Sequence, residues 1–289
     1  MERLLFIDAP KVAGIVLVLL EHAYGTQFSP SWMQPYYLNI NIQNMYHFNY
    51  GSIGVFLFLF ASGCGLAYAH SNLDSGAKLK DFYVKRVLRI YPAYYTALLM
   101  AIVMIPSRLQ NTFTPIEYVK IVTGFQSIGA HNLVDFYGKI NGNLWFLSVI
   151  LTMYLIFPIL LITIKKHPRI SILSLFIISA FSRYYLSFDI ADYRIIDWFP
   201  LCRMFEFGLG ICFISTGLYP RITSGRIIAY FSTISFYVFL INGPMSSLLE
   251  YPLVFIVALL VIGTMMYKFD ELIKSTIRSF VARPKSASY

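Results

Sequence analysis

Apolar stretches of about transmembrane length, separated by short polar or charged segments, recur along almost the whole chain. A bilayer core is about 30 Å thick, so a spanning helix needs about 20 predominantly apolar residues, and somewhat fewer where flanking polar groups adjust its depth. On that measure the sequence predicts eight spans: Lys11 to Gln27, Ser52 to Ala69, Tyr91 to Pro106, Asn143 to Ile164, Ile170 to Ser187, Trp198 to Thr216, Ile227 to Leu249 and Pro252 to Phe269. Ile116 to Ala130 is shorter and carries Glu117 and Lys120, so it reads as an interfacial helix in a long loop. The expected fold is an all-α polytopic membrane bundle of eight to ten helices: one integral domain over residues 1–270, then a cytoplasmic tail over 271–289 that frays from Arg278. No tandem repeat or separable soluble domain interrupts it.

Composition agrees, because a chain that is 57% hydrophobic and only 13% charged cannot cover a water-soluble surface. Its net charge of +9 would suit nucleic acid if the basic residues shared one face, but they lie in short clusters between apolar stretches, which excludes that partner. The clusters orient the protein instead. Lys78 to Arg89 holds five basic residues, Lys165 to Arg169 three, Arg221 and Arg226 flank the next segment, and five more follow from Lys268. Phe28 to Gly51 has none, and Asp189 to Asp197 has three Asp against Arg194. Positive charge marks the cytoplasmic side, so both termini are expected there, in a multi-pass protein of the cell membrane. Cys64, Cys202 and Cys212 sit in apolar stretches without metal-ligand spacing, so no metal is expected. Met1 to Pro10, with Glu2, Arg3 and Asp8, does not read as a cleavable signal.

An ionisable group inside a span is costly and usually faces the bundle interior. His22 follows Lys11 by eleven residues on the first helix, which returns it to nearly the same face about 16 Å further along. Two readings stand for His22: an interfacial histidine bonded to a neighbouring helix, or a general base, for which its near-neutral pKa suits it. Glu21 points about 100° away. Arg203 and Glu206, one turn apart, read either as a buried ion pair or as substrate contacts. Arg183 reads as snorkelling to the outer interface. Asn143 and Trp145 open the fourth span, where a Trp serves as a belt anchor or a sugar platform, and Asn242 falls at comparable depth. Gly63, Gly65, Gly208 and Gly210 read as close helix contacts, and Lys85, Arg86 and Arg89 as an inner flank that would also suit phosphates.

From Asp8 to about Pro244 these residues fall into a series. Asp8 to Lys11 followed ten residues later by His22, Gly54-Val55-Phe56-Leu57-Phe58 with Ser62-Gly63, and Phe82-x-x-x-Arg86-x-x-Arg89-Ile90-x-Pro92 come first. Leu144-Trp145-Phe146-Leu147-Ser148 with Tyr154 and Pro158, Phe205-x-x-Gly208, and Ile234-Ser235-Phe236-Tyr237 through Leu240 to Pro244 follow in order. The series resembles the membrane acyltransferase-3 family. Phe56 stands where that family often has Asp, Ile150 where Glu is common, Asn242 where a second His is common, and the chain has fewer spans than the family's usual ten.

The resemblance implies transfer of an acyl group, usually acetyl from acetyl-CoA, to a hydroxyl of a cell-surface or lipid-linked carbohydrate. His22 would then be the base and Asn242 an oxyanion donor. Lys11, Arg86 and Arg89 would hold the phosphates of acetyl-CoA or another acyl-CoA, while Trp145, Asn143, Arg203 and Glu206 would face the acceptor. Membrane lipid and polysaccharide-assembly proteins are further expected partners. A transporter or flippase for a lipid-linked saccharide would use the same buried polar groups, although matched halves with interrupted helices are not visible. A catalytically inactive assembly protein is the third reading.

Overall fold

The computed structural model describes residues 3–24, 38–42, 46–71, 73, 75–107, 112–129, 142–189, 193–245 and 251–282. Within them the chain forms ten α-helices. They are α1 (Leu5–Tyr24), α2 (Tyr50–Ala69), α3 (Gly76–Met104), α4 (Pro115–Thr123), α5 (Trp145–Lys166), α6 (Pro168–Asp189), α7 (Tyr193–Trp198), α8 (Met204–Ser215), α9 (Arg226–Ile241) and α10 (Pro252–Ala282). Each predicted span has a helix, and α4 falls where the loop helix was expected. The ends of two predicted spans, Gln27 and Leu249, lie outside the described residues, as do Arg108, Lys139 and Asp192. A short antiparallel hairpin, β1 (Asn39–Ile42) with β2 (Tyr46–Asn49), occupies part of the segment read as a loop.

Four of the described helices, α2, α3, α5 and α6, are long and apolar enough to cross a membrane. The basic stretch Lys78 to Arg89, read as a loop, forms the first turns of α3. Its residues are good helix formers, Ser75 caps them by accepting from the Lys78 N–H at 3.3 Å, and no breaker intervenes. Trp198 to Thr216, read as one span, is interrupted: α7 ends at Trp198, a 3₁₀ turn runs over Pro200–Arg203, and α8 has only 12 residues. Pro200 has no N–H to continue α7. The last helix runs on to Ala282, past the Phe269 limit of its predicted span.

The bundle is built around α2, which packs between α1 and α8, while α9 joins α1 to α10 and α8 meets α5 and α6. Backbones touch where glycine permits. A methyl group on Gly63 would lie 2.2 Å from the Phe207 carbonyl oxygen, and one on Gly210 would lie 2.1 Å from that of Phe60, so α2 and α8 cross in direct contact. Gly65 and Gly208 do not share that crossing: the first has only Ile7 nearby and the second abuts Leu175 of α6.

The basic segments gather at one end of the bundle. Lys165, at the end of α5, donates to the Ser71 carbonyl beyond α2. Leu4 forms an isolated bridge to Thr223, and the Tyr219 ring lies 5.2 Å from Phe6 and 6.0 Å from Tyr68 at the C-terminal end of α2.

Candidate functional site

At the basic end, Arg3, Asp8, Lys11, Arg86 and Arg89 form a group with more cations than anions. The buried Asp8 carboxylate is fully engaged, accepting from Arg3 at 3.3 Å, Ser224 at 2.8 Å and Ser232 at 2.5 Å, and so fastens α1 to α9. Lys11 lies within electrostatic reach of Arg89, Asp8 and Arg3 but makes no ion pair with a described residue. Arg86 lies over two aromatic rings, 5.5 Å from the Phe82 centroid and 5.8 Å from that of Tyr154, and its Nε is buried without a hydrogen-bond partner. The Tyr154 hydroxyl shares a 3.1 Å hydrogen bond with Ser62. Helices α1, α2, α3 and α5 thus bring Lys11, Ser62, Arg86, Arg89 and Tyr154 to one region at the basic end. On α10, Asp270 accepts from Tyr237 and, at 2.5 Å, from Lys274.

The opposite half is organised around the ends of shorter helices. Phe146, in the first turn of α5, packs against Phe239 of α9 at 4.9 Å and Phe58 of α2 at 6.1 Å, and Phe58 sits against Gly14 midway along α1. Helices α5 and α9 therefore end near the middle of α1. His22 is eight residues beyond Gly14, about 12 Å by axial rise, whereas Asn143 precedes Phe146 by about one turn. His22 accordingly stands above a floor that α5 and α9 provide. It is half-buried and makes no hydrogen bond to another described residue. Glu21 turns away from it and accepts from the Gly51 N–H at 3.4 Å.

In the floor, the Asn143 amide donates to Asn242 Oδ1, and Asn242 donates to the Phe239 carbonyl at 3.1 Å, which leaves Asn242 one further N–H. These two predicted residues are brought together; neither bonds to His22. Trp145 is buried with one ring face stacked on Trp198, centroids 5.8 Å apart and planes at 18°, so that face is already covered.

Beside the floor lies a cluster of four buried charges. Arg203 directs Nη1 to Glu206 at 3.2 Å, Nη2 to Asp197 at 3.2 Å and Nε to the Asp197 carbonyl at 3.1 Å. Arg183 bonds to Asp197 and, at 3.1 Å, to the Cys202 carbonyl. The expectation that Arg183 snorkels is overturned: its side chain is 5% exposed, because a carboxylate within the protein offers a better partner than the interface. Two positive and two negative groups make the cluster neutral, and Glu206 Oε2 alone in it is buried without a partner.

Sequence reasoning missed Asp197, which it counted only as an outer-loop charge, and the segment after α4. There the chain leaves the helix through Gly124 at φ 78°, and three α3 tyrosines donate to the helix's last carbonyls: Tyr94 to Ile121, Tyr95 to Val122 at 2.8 Å and Tyr91 to Thr123 at 2.8 Å. Ser148 of α5 donates to the Gly124 carbonyl at 2.9 Å and accepts from the Ser127 N–H at 3.0 Å. The spacing of Tyr91, Tyr94 and Tyr95 on one helix face was the signal available in the sequence.

Residues 4–202, more than half of the chain, match the family model described as an acyltransferase domain, that of the acyltransferase 3 family. The chain belongs to this family of membrane acyltransferases. It is therefore an integral membrane enzyme of acyl transfer. Neither the curated proteins nor the solved structures contain a match to it. The matched acyltransferase segment takes in Lys11, His22, Arg86, Arg89, Asn143 and Trp145 and stops just before Arg203, so Glu206 and Asn242 lie beyond it.

Proposed function

We propose that the protein moves an acyl group, acetyl or another, from a cytoplasmic acyl-CoA to a hydroxyl of a cell-surface or lipid-linked carbohydrate, across the outer half of the cell membrane. The observation that carries this reading is the polarity of α1. Its basic end has Lys11 close to Arg89, and neither makes an ion pair with a described carboxylate, while its other end has His22 beyond a floor of amides. CoA is a polyanion, and Lys11, Arg86 and Arg89 offer it charge-assisted bonds. The thin pantetheine arm would follow α1 for about 16 Å to bring the thioester to His22.

In the transfer step His22 takes the proton of the sugar hydroxyl as that oxygen attacks the thioester carbonyl carbon. The free N–H of Asn242 supports the charge that develops on the carbonyl oxygen. The carbon–sulfur bond then breaks, His22 returns its proton to the departing thiolate, and ester and CoA thiol are released.

This reading places eight spans in the membrane with both termini cytoplasmic. Cysteine labelling in a Cys-free background should reach Lys78 and Lys166 from the cytoplasm, and Asn39, Asp192 and Glu250 from outside. The functional test is purified protein in nanodiscs with labelled acetyl-CoA and glycolipid from the same membrane. Thiol release together with label in the glycan, both absent from His22→Ala, supports the reading. No thiol release from any acyl-CoA would sink it. Mass spectrometry of surface glycans with and without the protein then names the group added.

A further inference from the structure

Two buried polar groups near the floor have no hydrogen-bond partner among the described residues. The turn that follows α4 carries Gln126, 5% exposed, whose Nε2 is buried and donates to no group. The other is Glu206, whose Oε2 is buried and accepts from none. A connected path joins their segments. Ser127, next to Gln126, donates to the Trp198 carbonyl at 3.3 Å, and Asp197, next to Trp198, shares Arg203 with Glu206.

The turn is not loosely held. Tyrosine hydroxyls of α3 occupy the last carbonyls of α4, and Ser148 ties both sides of the turn to α5, so five hydrogen bonds hold this non-helical backbone against its neighbours. A segment held by so many bonds, yet carrying a buried amide without a partner among the described residues, keeps that amide in a fixed place to donate to a ligand.

We infer that Gln126 is a binding residue for the carbohydrate acceptor, donating to a hydroxyl oxygen of the sugar while Glu206 Oε2 accepts a hydrogen bond from a sugar hydroxyl. This rests on the acyl-transfer reading for the identity of the ligand. The chemistry selects a neutral polyol: a hydroxyl both accepts and donates, which meets one unpaired donor and one unpaired acceptor together. An anionic ligand would offer no hydrogen to Glu206 Oε2 and would unbalance a neutral cluster, and an ammonium group would find no acceptor at the Gln126 N–H.

The test uses the full chain in nanodiscs, carrying Trp32→Phe so that Trp145 and Trp198 alone report, with glycolipid extracted from the same membrane as the probe. Gln126→Met keeps the shape and removes the amide. It should weaken glycolipid binding about three- to tenfold, the worth of one neutral hydrogen bond. Acyl-CoA affinity and acceptor-independent thioester hydrolysis should not change, and the melting temperature should stay level or rise. Gln126→Asn, a shorter amide, should fall between the two and stands in if the Met variant does not fold. Glu206→Gln combined with Gln126→Met should weaken binding less than the product of the single effects, because both groups hold one ligand. Unchanged glycolipid binding in Gln126→Met would show an amide met by ordered water only, and a fall in stability matching the loss of binding would show a structural role; either overturns the proposal. If wild type binds glycolipid in a Gln126-dependent way but releases no thiol, this inference stands and the acyl-transfer reading falls. If thiol is released and glycan labelled without any Gln126 dependence, the reverse holds.

Discussion

Arginine appears in two settings in this protein, and they teach opposite lessons. Arg183 and Arg203 are buried, and each meets a carboxylate and a backbone carbonyl, so two acids and two bases cancel. Arg86 and Arg89 have no carboxylate partner among the described residues, one lying over aromatic rings and the other exposed, with Lys11 nearby to add to their charge. The first arrangement neutralises its own charge, with Glu206 Oε2 alone left unmet, and fixes the junction of α6, α7 and α8. The second is left with unspent positive charge, which a polyanion would neutralise. Burial alone therefore does not mark a functional arginine; the absence of a partner does.

The chemistry proposed between these regions gives the largest expected effect. His22→Gln should lower kcat by about 10²- to 10⁴-fold, while the melting temperature in detergent stays nearly unchanged, because His22 bonds to no described residue. Full activity in that variant would end its role as base. A variant that does not accumulate would instead favour an interfacial, structural histidine.

The paired cluster should fail differently. Arg183→Met takes one of two arginines from the Asp197 carboxylate and leaves the buried cluster with an uncompensated negative charge, and breaking a buried pair from one side costs about 3 to 5 kcal/mol. Denaturation of purified variants should show this loss for Arg183→Met and little for Arg89→Ala. Equal losses would erase the distinction between the two settings.

How much of this was legible in the sequence follows from what each feature depends on. The helices follow from apolar runs, and the Gly63 and Gly210 crossing from small residues in apolar helices, both local properties. The break at Pro200 had its signal in the proline itself, but the apolar residues around it concealed the interruption. Pairings between distant segments were not readable: nothing local tells Arg183 that Asp197 waits fourteen residues on across a turn, and the charge of Asp197 looked like an ordinary outer-loop acid. Gln126 escaped for the same reason, since an unmet hydrogen bond is a property of surroundings. His22, Lys11, Arg86 and Arg89 were picked out by their motifs, and the structure adds which of them stand near one another.

The inner cations should show up in binding. Arg86→Ala and Arg89→Ala are expected to raise the apparent donor KM about ten- to a hundredfold with little change in kcat, since a phosphate clamp acts alike on ground and transition states. Lys80→Ala, exposed on the same helix, is the control in the donor titration. A Lys80 effect as large as that of Arg86 would reduce the group to a topology signal.

The smallest effect separates charge from shape. Arg203 uses Nε, Nη1 and Nη2 on three acceptors in one plane, and Lys cannot reproduce that fork from a single ammonium. Arg203→Lys should therefore keep the charge balance yet lose about 1 to 3 kcal/mol of stability, the cost of charged acceptors left partly unmet. Arg89→Lys meets no protein carboxylate to begin with, so its stability should not move. Its apparent donor KM should rise only a few-fold, about the part of a charge-assisted bond that depends on geometry. Measured side by side, the two Lys variants ask one question of two arginines. If Arg203→Lys is silent and Arg89→Lys destabilises, the self-satisfied group and the unpaired group have been assigned the wrong way round.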